Sequence, residues 1–175
     1  MTGLFRTIVC YATVLDEDAN ALRTVELRYP GAANIRYENG SLFDLKEERA
    51  EGFDYVVFAG TLQAPYEEQL QAAKALLKPD GVLIVAVPNA LGMKYFSGTA
   101  DEANAMTKVQ LAQLLPGGRF YYPMPDYRTP VSIYSDQYLP KKGDMTRVTP
   151  AYDYPRYHMM DMGCLLYTSD AADEL

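Results

Sequence analysis

The sequence predicts an α/β fold on a mostly parallel sheet, and three features carry that prediction. Phe53 to Ala59 reads Phe-Asp-Tyr-Val-Val-Phe-Ala, a nearly continuous apolar run of the kind expected of a strand covered on both faces. Val82 to Val87 is a second such run, and between them Tyr66, Leu70, Ala73 and Leu77 recur at helical spacing over 66–78. Strand, helix and strand at this spacing form a βαβ unit, whose strands are parallel and whose crossover is nearly always right-handed. The architecture implied is an open, Rossmann-like sheet.

Upstream, Thr13-Val14-Leu15 ends an apolar run, and Asp16 to Asp18 offer N-cap and first-turn carboxylates to a following helix. Leu22, Val25 and Tyr29 give that helix an apolar face, and Pro30-Gly31 stops it. Ile35 to Tyr37 is a short strand, followed by the turn Gly40-Ser41-Leu42-Phe43-Asp44. Lys46 to Arg49 carries both signs of charge, as a solvated face does. The helix over 66–78 is expected to end at Lys78-Pro79-Asp80-Gly81, where Pro and Gly bar its continuation. Thr107 to Leu115 is a further helix closed by Pro116-Gly117-Gly118, and Arg119 to Tyr122 an outer strand. From Tyr121 to Tyr157 tyrosine and proline dominate, a composition suited to an ordered aromatic loop or cover.

Composition bounds the function. The chain has 175 residues, 49% of them hydrophobic and 22% charged, enough for about one domain with its own core. No apolar run approaches the roughly 18 residues of a membrane span, so none is expected. The net charge is −7, with no Lys/Arg stripe, which argues against a nucleic-acid partner. Cys10, Cys164 and the single His158 make neither a disulfide framework nor a metal site, so no metal is expected and the default location is cytoplasmic. Residues 164–175 resemble a translated sequencing adapter, are expected to be disordered, and are set aside from fold reasoning. Without Asp170, Asp173 and Glu174 the balance is 20 acids against 16 bases, a net of −4.

In open parallel sheets ligands bind beyond the carboxyl ends of the strands. Asp16 follows the first strand, either as an acceptor for ribose hydroxyls or as an N-cap. Asp44 follows the second, either as an acceptor for an exocyclic amine or as a turn residue. Gly60-Thr61-Leu62-Gln63 follows the third.

This order of features resembles the class I S-adenosylmethionine-dependent methyltransferases, most nearly those found with bacterial glycosyltransferases and cell-surface glycan loci. The resemblance rests on Leu76-Leu77-Lys78-Pro79-Asp80-Gly81-Val82-Leu83-Ile84-Val85-Ala86-Val87-Pro88-Asn89 and Gly92-Met93-Lys94-Tyr95-Phe96-Ser97-Gly98. It continues in Phe120-Tyr121-Tyr122-Pro123-Met124-Pro125-Asp126-Tyr127 and Ile133-Tyr134-Ser135-Asp136-Gln137-Tyr138-Leu139-Pro140, so that it covers about residues 3–145. It implies S-adenosylmethionine as cofactor, with Asp16 at the ribose and Ser41, Leu42 and Asp44 on the adenine side. Gly60 to Gln63, with Gly60 and Thr61 as cofactor-binding residues, would border the methyl-transfer centre. The implied acceptor is a small molecule or glycan precursor, and the implied partner a glycosyltransferase domain.

The family's Gly-x-Gly loop has no counterpart before Met1-Thr2-Gly3. The expectation is therefore an N-terminally truncated domain, with Gly3 to Cys10 as its first helix and no activity alone. Its parts would be a partial methyltransferase domain at 1–120, a Tyr/Pro-rich extension or cover at 121–163, and the adapter-like tail.

No catalytic base is assigned. Asp126 and Tyr127 are placed for the role, but the Pro-Asp-Tyr turn reads first as a cap on the sheet edge. His158 reads as a packing or surface residue and Cys10 as a small core hydrophobe. Two other readings use the same fold: a non-catalytic module presenting its tyrosines to a partner, and a nicotinamide oxidoreductase, since fold alone does not give function.

Overall fold

The computed structural model describes residues 7–45, 52–92, 95, 102–124, 127–128, 130 and 132–139. The chain forms two compact units, Met1–Val56 with Glu68–Leu83, and Val57–Glu67 with Ile84–Leu175.

In the first unit, β1 (Ala12–Asp16), α1 (Ala19–Arg28) and β2 (Ile35–Asn39) make a βαβ element. The strands are parallel and pair from Ala12↔Ile35 to Asp16↔Asn39, and α1 packs on both. Asp18 caps α1, its side chain accepting a hydrogen bond from the Asn20 N–H at 2.8 Å. At the other end the Tyr29 N–H is shared between the carbonyls of Val25 and Glu26, and Gly31 turns the chain at φ +73°. Leu22 and Ile35 are buried where helix meets strand. Thr7 and Ile8 are helical, while Gly3 to Arg6 of the expected first helix lie outside the described residues. Cys10 is exposed in the bend before β1, so it is not the core residue its apolar neighbours suggest.

β3 (Phe53–Ala59) matches its expected bounds, and α2 (Tyr66–Ala75) leads into β4 (Leu77–Ala86). The Phe53 N–H donates to Leu76 O and the Gly60 N–H to Ala86 O, each at 2.8 Å. The two bonds advance the same way along both strands, which is parallel pairing. Leu70, Ala73 and Leu76 supply the apolar seam of this segment within the first unit.

Helix α2 stops earlier than its apolar spacing suggests, and the strand begins at Leu77 rather than Val82. Pro79 disfavours helical geometry at Lys78. Gly81 then passes so close to backbone that a Cβ would lie 2.9 Å from Phe53 O and 3.0 Å from Lys78 O. Coverage also differs from expectation: Tyr55 is 62% and Val82 47% exposed, so these strands are not enclosed on both faces.

In the second unit, Phe58, Leu62 and Met106 are buried, and Met106 is tied by its N–H to Pro88 O. Thr107 and Gln110 form a reciprocal capping box that starts α3 (Lys108–Leu114). The Tyr/Pro-rich segment contains regular structure that its composition hides: β5 (Tyr121–Met124) pairs antiparallel with β6 (Ser132–Ser135), with Pro123 opposite Ile133. A two-stranded ribbon has outer edges on which a residue without an N–H is tolerated.

Two substitutions separate helix capping from core packing in this architecture. Leu70→Ala is expected to lose about 2–5 kcal/mol of stability and Asp18→Ala about 1 kcal/mol, both read by urea unfolding. Equal losses would contradict the burial of Leu70.

Candidate functional site

At the carboxyl ends of β1 and β2, in the first unit, polar groups converge because the parallel register brings Asp16 beside Asn39. Asp16 Oδ1 accepts from the Asp18 N–H at 2.9 Å, and Asp18, not Asp16, is the helix cap. The alternative open for Asp16 is thereby narrowed: its carboxylate orders the turn and keeps a second oxygen.

The Asn39 side chain donates to the carbonyls of both Asp16 and Glu17 at 3.0 Å, and the Gly40 N–H donates to Asp16 O at 3.2 Å. Sequence reasoning missed Asn39. Its signal was available only through register, which a single strand does not reveal.

The turn that follows is a short 3-10 helix at Leu42–Asp44, with the Ser41 hydroxyl accepting from the Phe43 N–H at 3.4 Å. Asp44 lies in its first turn and is exposed. Among the described residues, the N–H groups of Ser41 and Leu42 find no protein acceptor.

The second unit holds Gly60, at the end of β3, and an open cleft of about 480 Å³ lined by Gly60, Gln63, Ala64, Tyr66, Ala103 and Asn104. Gly60 has φ +77°, and a Cβ there would run into the Tyr127 hydroxyl. Asn104 donates from Nδ2 to Gly60 O at 2.7 Å and so fixes one wall. Thr61 is exposed and does not line the cleft. Tyr127 thus lies against Gly60, whereas Asp126 and His158 fall outside the described residues.

Beyond Tyr127, Arg128 pairs with Glu102 at 2.9 Å, and that hydrogen bond raises the Arg128 pKa. A further exposed group joins Lys108 to Asp136 at 2.6 Å, with Tyr122 Oη donating to the same carboxylate oxygen. The Lys108 hydrogen bond, then that of Tyr122, lowers the Asp136 pKa, while the hydrogen bond to Asp136, then that to Tyr122, raises the Lys108 pKa. Among the described residues there is no cluster able to hold a metal, and no helix is long and apolar enough to cross a membrane.

No protein-family model and no curated protein matches the chain by sequence. Solved structures do resemble it in fold. One is described as the DhpI–SAM–HEP complex, with a TM-score of 0.52 at 16% identity, covering 70% of this chain and 66% of that one. Another is the plantazolicin methyltransferase BpumL in complex with a pentazolic desmethylPZN analog and SAH, with a TM-score of 0.53 at 11% identity, covering 69% and 53%. The fold is methyltransferase-like. The chain spans about two thirds of the first of these proteins and about half of the second.

Two measurements follow from this geometry. Gly60→Ala is expected to lose at least about 1 kcal/mol from the left-handed backbone alone, plus a steric part from Tyr127. In the double variant with Tyr127→Ala only the steric part should return, as read by thermal melts. Asp136, with its folded pKa depressed, contributes stability that is present above its unfolded value and lost as pH falls through the folded one. Carboxyl-carbon NMR titration should therefore place the Asp136 midpoint below the ordinary range, and Lys108→Met should move it back up.

Proposed function

We propose that this chain binds S-adenosylmethionine and forms part of a methyltransferase acting on a small molecule or glycan precursor. The observation that carries this reading is the register of β1 and β2, which sets the Asp16 carboxylate beside Asn39 and the Ser41–Asp44 turn at one sheet edge. The fold likeness to proteins in complex with SAM and SAH supports it.

The donor set suits a nucleoside. Asp16 offers an acceptor for ribose hydroxyls, and ordering of its Oδ1 by the Asp18 N–H fixes the carboxylate in advance. Ser41 and Leu42 offer backbone donors, and Asp44 an acceptor for the adenine amine. Gly60 and Thr61 stand at the end of β3, where the methyl acceptor would approach.

The cofactor, when bound, supplies an electrophilic methyl group on a sulfonium. For such an in-line displacement the protein's task is mainly positioning. Asn104, anchored on Gly60 O, and Tyr127, resting on Gly60, are the groups suited to orient an acceptor. A base is needed only where the acceptor must lose a proton. In this reading the enzyme works in the cytoplasm, residues 121–163 extend the same domain as a cover, and a glycosyltransferase domain is a partner.

A second reading is favoured by Tyr121, Ile133, Tyr138 and Leu139, which are 61%, 62%, 76% and 58% exposed. An apolar surface of this kind suits a non-catalytic module that docks on a partner. Calorimetry with S-adenosylhomocysteine separates the two. The methyltransferase reading expects binding that Asp16→Ala weakens about 10- to 100-fold, the loss of hydrogen bonds to a charged group. Absence of binding, or equal affinity in the variant, would favour the module.

A further inference from the structure

We infer that residues 102–108 form an ionic clasp on the cleft beside Gly60, a strap whose hold on that cleft loosens as ionic strength rises. The strap belongs wholly to the second unit, with Glu102 at one end and Lys108 at the other. Glu102 pairs with Arg128 at 2.9 Å and Lys108 with Asp136 at 2.6 Å, so the strap is tied to the chain on both sides of β6. The device needs no cofactor, since every contact in it belongs to this chain.

Between the two ion pairs the strap forms part of the cleft. Ala103 and Asn104 line it, and the Asn104 side chain donates to Gly60 O at 2.7 Å. The Ala105 N–H turns back to Glu102 O at 2.9 Å, which places Asn104 close to the paired carboxylate. Met106 is buried, and its backbone bonds Pro88 O at 2.9 Å and the Ala90 N–H at 3.0 Å. Salt does not screen that anchor, but it does screen charges at the surface. The Arg128 pair reaches Gly60 by a second route: its guanidinium stands 5.3 Å from the centre of the Tyr127 ring, and Tyr127 rests on Gly60.

The charge pattern gives the clasp one seating. Were the strap reversed, Glu102 would meet Asp136 and Lys108 would meet Arg128, and like charges set together are unfavourable. Lys108 is the first residue of α3, where the helix dipole disfavours a cation, so Asp136 offsets what the helix start opposes. The rings of Phe120 and Tyr122, 5.4 and 5.5 Å from the ammonium, add attraction for the same charge. All four charged side chains keep 26% to 56% of their surface exposed. Pairs so exposed hold weakly and are screened by salt, as a releasable clasp requires.

The test is NMR on the full 175-residue chain, following exchange with water of the Asn104 side-chain amide. The control, in the first unit, is the Ala12 N–H, which bonds Asn34 O at 2.8 Å. Raising sodium chloride from about 0.01 M to about 1 M shortens the screening length from about 30 Å to about 3 Å. The expected result is Asn104 exchange about twofold to fivefold faster in high salt, the loosening of exposed ion pairs, with Ala12 unchanged. Glu102→Gln combined with Lys108→Gln should exchange at the faster rate at both salt concentrations. Asn104 exchange that ignores salt in the unsubstituted chain overturns the proposal, as does an equal salt response in the doubly neutral variant. Asn104 and Ala12 losing protection together would overturn it too, since the salt would then act on the whole fold.

Discussion

Strands that run parallel must end at the same edge, and in this chain that constraint gathers the polar groups. β1 and β2 pair over five residues and finish on Asp16 and Asn39. Had the pairing been antiparallel, the turn after β2 would lie at the opposite end from Asp16. The Asn39 side chain then bonds two successive carbonyls, Asp16 and Glu17, across the gap between the strands. The turn after β1 is thereby held from two sides, by Asn39 and by the Asp16 carboxylate on the Asp18 N–H. Helix α1 starts from that held turn, and its burial of Leu22 depends on starting there.

The second unit uses a different device. The Gly60 N–H bonds Ala86 O and the Gly60 carbonyl accepts from Asn104, so both polar groups of one residue tie it to neighbouring segments. The absence of a Cβ at Gly60 also leaves room for the Tyr127 hydroxyl. An open cleft results beside a strand end, where open α/β sheets place their ligands.

Periodicity and punctuation made much of the architecture readable. The apolar run of β3, the spacing of Leu22 and Val25 in α1, and the Pro-Gly stop after it all appear where the residues point. The boundary between α2 and β4 was harder, because Leu76 and Leu77 fit either period, and it is Pro79 together with the close approach of Gly81 to Phe53 O that favours the strand. The β5–β6 ribbon was hidden because Pro123 within a strand reads as a break, and the residue that pairs with it lies ten positions downstream. Of the site, the carboxylates and Gly60 were legible as residues following strands. Asn39 and Asn104 were not, since each matters through a partner distant in sequence, Glu17 in one case and Gly60 in the other.

The contact between Gly60 and Tyr127 reaches past this one molecule. Two positions 67 residues apart share one space, because the Tyr127 hydroxyl occupies the volume a Cβ at Gly60 would need. Related sequences should then carry a one-sided signature: tyrosine at the distant position only where the strand end is glycine, while the left-handed backbone holds glycine there even where the distant residue shrinks. Such covariation would identify other members of the same architecture even where overall identity has fallen too low to align them.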